Sequence, residues 1–238
     1  MVKKEIYKDY ELYFFQDFYK ELLENILEKK VKVMDVLKEN RRSYIAVIEW
    51  NKKKYIIKES RNEYKLIQRK ILSLFKKGEF VVTLENINRL IHKECMKEYA
   101  EPYGAIIKRK NGMICYNLML MEYVGEEIFP DTLENMLEII KKIHKKGYYH
   151  GDFNPSNFIL KSNGELKIVD TQGKKMGFGN YRAHYDILTM KMDSFPELEY
   201  PYKKNIYYYL ALLMKKYKKN PLVSEVKRLK NKYRDKKG

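Results

Sequence analysis

The stretch His150-Gly151-Asp152-Phe153-Asn154-Pro155-Ser156-Asn157 sets an aspartate and an asparagine five residues apart, and Ile168-Val169-Asp170 follows at the end of a short apolar run. Between them, Phe158-Ile159-Leu160 and Leu166 to Val169 flank Ser162-Asn163-Gly164, which predicts a β-hairpin. These residue types suit phosphoryl transfer. That reaction needs a carboxylate to orient the accepting hydroxyl and take its proton, and amide and carboxylate oxygens to hold Mg²⁺. Taken singly, each residue has an ordinary reading: Asp152 and Asn157 as turn or capping residues, Asp170 as a helix N-cap. That reading gives no reason for the joint spacing.

Upstream of the loop, Ile143-His144-x-x-Gly147-x-x-His150 resembles the stretch that leads protein-kinase-like chains into their catalytic loop. Tyr55-Ile56-Ile57-Lys58, on the third predicted strand after residue 30, resembles the strand whose lysine grips the α- and β-phosphates. A snorkelling edge-strand lysine is the ordinary alternative for Lys58. Strand lysine, helices, two strands, connector, helix, loop, hairpin and aspartate come in the order of a protein-kinase-like fold. The resemblance covers residues 31–190 approximately. It implies an α+β chain of two lobes: an antiparallel five-stranded N-lobe (1–121) and a mainly helical C-lobe (122–238). It also implies that the hinge Glu122, Tyr123 and Val124 seats the adenine of ATP. Lys58 would then hold the phosphates, Asn157 and Asp170 the Mg²⁺, and Asp152 would be the catalytic carboxylate.

Hydrophobic periodicity supplies the rest of the organisation. Phe15, Phe18, Tyr19, Leu22, Leu23, Ile26 and Leu27 recur at three- and four-residue spacing, which predicts an amphipathic helix within Asp9–Lys29. Val31–Leu37, Tyr44–Trp50 and Lys54–Lys58 read as a three-stranded meander, and Asn62–Lys77 and Phe80–Tyr99 as helices parted by Lys77-Gly78. Ala105–Arg109 and Ile114–Met121 flank an Asn111-Gly112 turn, Leu133–His144 reads as a helix, and everything from about Arg182 is helical and basic.

Several positions depart from the protein-kinase pattern. The first β-turn, Lys38 to Ser43, has no glycine, so Arg41 and Arg42 either lend charge to a nucleotide or form a solvated basic turn. Gly151 stands where regulated kinases carry an arginine, and Thr171-Gln172-Gly173 follows the metal aspartate. No Ala-Pro-Glu element follows, which reduces any peptide-binding platform. Glu85, on the helix before the fourth strand, is the first choice as ion-pair partner of Lys58 and Glu63 the second, with an exposed glutamate as the ordinary reading of each.

The segments HGDFNPSNFIL and IVDTQGK, in a short basic chain with a Lys/Tyr-rich tail, resemble the lipopolysaccharide core heptose(II) kinase family. That resemblance implies ATP- and Mg²⁺-dependent transfer to an inner-core heptose of lipopolysaccharide. Kinases of the aminoglycoside type, or atypical protein kinases, would use the same catalytic set. A non-enzymatic basic RNA-binding or membrane-adaptor protein is the third class, although no RNP or helix-turn-helix signature is present and no nucleic-acid partner is expected.

Composition narrows the setting. With 238 residues, 45% hydrophobic and 14% aromatic, the chain can bury a real core, and its net charge of +17 favours anionic partners. Cys95 and Cys115 make neither a disulfide framework nor a four-ligand zinc site, and they are read, with His92, His144 and His184, as structural. No signal peptide or spanning segment stands out, so a cytoplasmic chain is expected, peripheral on the inner face of the inner membrane. Residues 215–238 hold eleven Lys/Arg against Glu225 and Asp235, a net +9, interleaved with apolar residues. Such a tail is expected to meet the anionic membrane surface or lipopolysaccharide phosphates, unless it is simply solvated or a structural helix.

Overall fold

The computed structural model describes residues 2–125, 133–161, 163–221 and 225. Most of the expected basic tail therefore lies outside the described residues. The chain forms two compact units, Met1–Ile128 with Ile159–Gly173, and Phe129–Phe158 with Lys174–Gly238.

The first unit is built on one antiparallel sheet. Its strands are β1 (Lys3–Tyr7), β2 (Tyr10–Phe14), β3 (Lys32–Glu39), β4 (Ser43–Trp50), β5 (Lys53–Ser60), β6 (Pro102–Lys110) and β7 (Met113–Glu122), in the order β1-β2-β6-β7-β5-β4-β3. The meander β3-β4-β5 and the hairpin β6-β7 follow the sequence expectation; the first two strands do not. The expected helix over Asp9–Lys29 is instead β2 followed by α1 (Asp17–Leu27), and the sheet has seven strands rather than five. The physical reason is that Leu12, Tyr13 and Phe14 are apolar in either period. Pairing β2 with β6 sends Leu12 and Phe14 to one face and Tyr13 to the other.

Alternation gives the sheet two buried faces. On one, Leu12, Phe14, Ile48, Tyr55, Ile57 and Leu120 pack with Leu22, Leu23 and Ile26 of α1. Helix α1 and strand β2 come so close that a Cβ at Gly104 would sit 2.9 Å from Leu23 and 3.0 Å from the Tyr13 carbonyl oxygen. On the other face, Tyr13, Ala105, Ile107, Ile114 and Met119 meet Phe80, Val81 and Leu84 of α4 (Glu79–His92). The stretch between β5 and α4 holds the short helices α2 (Arg61–Lys65) and α3 (Ile67–Leu72) and a 3₁₀ turn, Ser73–Phe75. Helix α4 ends at His92 rather than Tyr99, since Tyr99 is used in a parallel bridge to Ile168.

In the second unit, α5 (Leu133–Lys145) leads into β8 (Tyr148–Tyr149), which pairs with β11 (Lys174–Lys175). Between these in sequence lie β9 (Phe158–Leu160) and β10 (Leu166–Ile168), the predicted hairpin, which from Ile159 onward belongs to the first unit. Helices α6 (Tyr181–Asp193) and α7 (Ile206–Lys219) complete the unit. No helix among the described residues is long and apolar enough to cross a membrane.

Candidate active site

Lys58 and Asp170 belong to the first unit, and Asp152 and Asn157 to the second. In the first unit, β5 alternates Tyr55 and Ile57 into the α1-side core, so Lys58 points to the opposite face, towards α4. There its ammonium makes an ion pair with the Asp170 carboxylate. Asp170 is placed by backbone bonds two residues earlier: Ile168 N–H donates to the Glu98 carbonyl at 2.7 Å, and Ala100 N–H donates to the Ile168 carbonyl at 2.9 Å. The residue itself has φ +58, in the left-handed region that an aspartate tolerates better than most side chains.

The segment after Asp170 is clamped to α4. The Gln172 carbonyl accepts from Asn86 Nδ2 at 3.0 Å, and its side-chain amide donates to Glu79. Gly173, at φ +55, lies so close that a Cβ would meet Ile87 and Leu90 at 2.8 Å. A side chain there would be strained by the backbone conformation and would have to displace the two terminal methyls.

Around Lys58 and Asp170 is a pocket of about 320 Å³, walled by Ala100, Pro102, Met119 and Met121 on the apolar side. Lys38, Arg42, Lys58 and Arg69 face it against Glu79 and Asp170, an excess of cations suited to phosphates. Arg42 comes from the glycine-free turn, which an asparagine closes instead: Asn40 Oδ1 accepts from Arg42 N–H at 2.8 Å and Ser43 N–H at 3.0 Å.

Helix α4 supplies the pocket's glutamate, though not the expected one. Glu85 pairs with Lys77 at 2.7 Å and is not among the residues facing the pocket, whereas Glu79 is. Glu63 is buried and accepts the Glu79 N–H at 2.7 Å, with the Asn117 amide as second donor. Burial pushes its carboxyl up, and its bond to the Glu79 N–H braces the start of α4. Lys58 takes Asp170 in place of either glutamate. Glu122, Tyr123 and Val124 do not line the pocket among the described residues, where Met121 does. The Glu122 carboxylate is opposed by burial but held below its ordinary value by Lys161 at 2.9 Å, the Glu101 N–H and Lys167.

In the second unit, the loop 150–157 is held by buried rings and hydrogen bonds. His150 is buried and stacks on Phe158, while fully buried Phe153 packs edge-on to the same ring. His150 Nδ1 accepts the Asp152 N–H at 3.2 Å, so the Asp152 backbone is held while its side chain is exposed. Asn154 Oδ1 accepts the Ser156 N–H at 3.0 Å, and Pro155 opens a 3₁₀ turn ending at Asn157. The Asn157 amide nitrogen donates to the Asp152 carbonyl at 2.7 Å, which commits the nitrogen and leaves the oxygen as the acceptor suited to a hard cation.

One organiser was missed in the sequence. Asp186, fully buried in α6, accepts the N–H groups of His150 at 2.7 Å and Gly151 at 2.9 Å and faces His144 Nε2 at 3.2 Å. Its signal was a lone aspartate beside Ala183, Ile187 and Met190, which recur at helical spacing, so that a carboxylate on that face must find donors.

The family model for the lipopolysaccharide core biosynthesis protein (WaaY) matches residues 1–232. The chain belongs to that family. Among curated proteins, this WaaY-family chain is similar to the RIO-type serine/threonine-protein kinase Rio2 of Methanocaldococcus jannaschii, 36% identical over 53 residues, 22% of this chain and 20% of that protein. It is also similar to the probable serine/threonine-protein kinase ndrC of Dictyostelium discoideum, 24% identical over 216 residues, 69% of this chain and 16% of that protein. The chain thus spans a fifth or less of the length of these relatives.

The WaaY-family chain has no cluster of three or more His, Cys, Asp or Glu able to cage a metal among the described residues. Mg²⁺ does not need one, since it is commonly held by one or two protein oxygens together with substrate phosphates and waters. A half-exposed Asp170 carboxylate in a cationic pocket fits that mode.

Proposed function

We propose that the chain is an ATP-dependent kinase that transfers the γ-phosphoryl group to a sugar hydroxyl, an inner-core heptose of lipopolysaccharide. The observation that carries this reading is the Lys58–Asp170 ion pair set among Lys38, Arg42 and Arg69 in a pocket. Such a set neutralises polyphosphate without needing a glycine-rich loop. The WaaY family description and the names of the two kinase relatives support the acceptor and the reaction respectively.

In this reading Lys58, with Lys38 and Arg42, holds the nucleotide phosphates, and Asp170 and Asn157 are the oxygen donors for Mg²⁺. The ion, when bound, offsets charge on the transferred group. Asp152 orients the acceptor hydroxyl and takes its proton. The acceptor and any anionic membrane partner at the basic tail belong to the same proposal. Only residues 171–180 separate Asp170 from α6 at Tyr181, which leaves little chain for a peptide platform and favours a sugar over a protein acceptor.

The test is transfer of labelled γ-phosphate by the purified protein to lipopolysaccharide core from cells lacking the gene, with mass spectrometry of the product. A phosphate added to heptose is expected. No transfer to any core preparation, together with no thermal stabilisation by Mg·ATP, would sink the reading.

A further inference from the structure

Helix α7 is apolar on two sides. One side is satisfied inside the second unit: Ala211 is fully buried, and Lys215, also buried, reaches Asp193 of α6 at 2.6 Å, with Lys219 on the same carboxylate at 2.7 Å. At 100° per residue, Ile206, Tyr209, Leu210, Leu213, Met214 and Tyr217 fall on the opposite side. These six are between 38% and 69% exposed. An apolar stripe of this length is unusual on water-facing surface.

Charge identifies what covers it. Lys216 borders the stripe on one edge and Lys218, whose ammonium reaches the Tyr185 hydroxyl at 2.7 Å, on the other; of the six lysines between Tyr200 and Asn220, Lys215 and Lys219 are taken by Asp193 on the buried side, and that stretch holds no acid. A second copy would set this lysine-rich face against itself, which is repulsive. The chain's own residues 221–238 carry seven Lys/Arg against Glu225 and Asp235, the same sign again. A surface of anionic lipid has the opposite sign and an apolar interior just below its headgroups. A helix with an apolar face edged by lysines is the form that lies in such an interface.

We infer that α7 is an interfacial helix, which inserts Ile206, Leu213 and Tyr217 into an anionic phospholipid surface while Lys216 meets the headgroups. The inference does not rest on the proposed reaction, because binding is read without nucleotide or acceptor. It also differs from recruitment by the basic tail, since its energy comes from described apolar side chains.

The experiment is co-sedimentation of the full-length protein with phosphatidylglycerol-containing vesicles and with vesicles of phosphatidylcholine alone. Wild type should bind the first, more weakly as salt rises, and the second little. Leu213→Glu should weaken binding about tenfold or more, and the neutral Leu213→Gln by a smaller factor, with melting temperatures close to wild type. Unchanged vesicle binding in both variants overturns the inference. So does a large fall in melting temperature in both, which would mean that the chain itself covers Leu213. A wild-type dimer in sedimentation velocity that Leu213→Glu dissolves would assign the face to a second copy and overturn it too.

Discussion

The carboxylate of Asp186 accepts the main-chain N–H of His150 at 2.7 Å, and its second oxygen accepts that of Gly151 at 2.9 Å. A helix side chain thus fixes the backbone two residues before Asp152. Asp186→Ala would leave two N–H donors without this acceptor, at about 1–3 kcal/mol for each that stays dry. It should lower the melting temperature and abolish transfer, while Asp186→Asn, which keeps one acceptor, should fall between. Wild-type activity in Asp186→Ala, measured on the purified protein, would dismiss the anchoring role.

Asp152 itself is exposed and makes no contribution to packing that its removal would reveal. Asp152→Ala should keep its melting temperature and its stabilisation by Mg·ATP, and lose about 10²–10⁴-fold in transfer rate, the range of a positioned general base. Turnover within a fewfold of wild type would remove Asp152 from the chemistry.

The paired glutamates of α4 make opposite predictions. Glu85→Ala removes an exposed ion pair with Lys77, a contact of about 0–1 kcal/mol, and should be nearly silent. Glu79→Ala removes the acceptor of Gln172 beside Asp170 and should raise the KM for ATP several-fold. The reverse outcome, a damaged Glu85→Ala and a silent Glu79→Ala, would restore Glu85 as the residue that matters.

For Asp170, the substitution of choice is asparagine, which tolerates the left-handed backbone at φ +58. Asp170→Asn should fold normally but need more Mg²⁺ for half-maximal activity and be less stabilised by Mg·ATP. Stabilisation equal to wild type at every Mg²⁺ concentration would show that another group holds the ion.

Legibility in the sequence followed locality. Strand alternation and turn residues are local, and β3 to β7 were readable from them. The hairpin β1-β2 was not, because Leu12, Tyr13 and Phe14 abut the apolar residues of α1 and the choice of period is made by pairing with β6, some 90 residues away. The spacing of Asp152, Asn157 and Asp170 is likewise local. The partner of Lys58 and the burial of Asp186 depend on helix rotation, which a spacing rule leaves open by a turn. Glu79 and Glu85 both lie on α4, and only packing against Ile107 and Ile114 decides which faces the pocket.

A buried histidine of α6 should make stability depend on pH. His184 is fully buried in α6, with Nδ1 against the Tyr200 hydroxyl at 2.6 Å and the rings of Tyr200, Tyr202 and Tyr208 around it. Burial disfavours its cation and neighbouring His144 adds to this, while Asn205 opposes, so its pKa lies below the ordinary 6.5. The unfolded chain takes up this proton first as pH falls, so the stabilisation is fully present above about 6.5 and is lost progressively below it. Asp193 and Glu122, whose folded values are depressed, lose theirs only lower, below their ordinary values of 3.8 and 4.5. The melting temperature should therefore decline in two stages, the first between about pH 7 and 5. His184→Gln, which cannot titrate, should start lower because it disturbs a packed site, yet run flat through that first window. A first-stage decline of the same size in His184→Gln would assign the proton to another group.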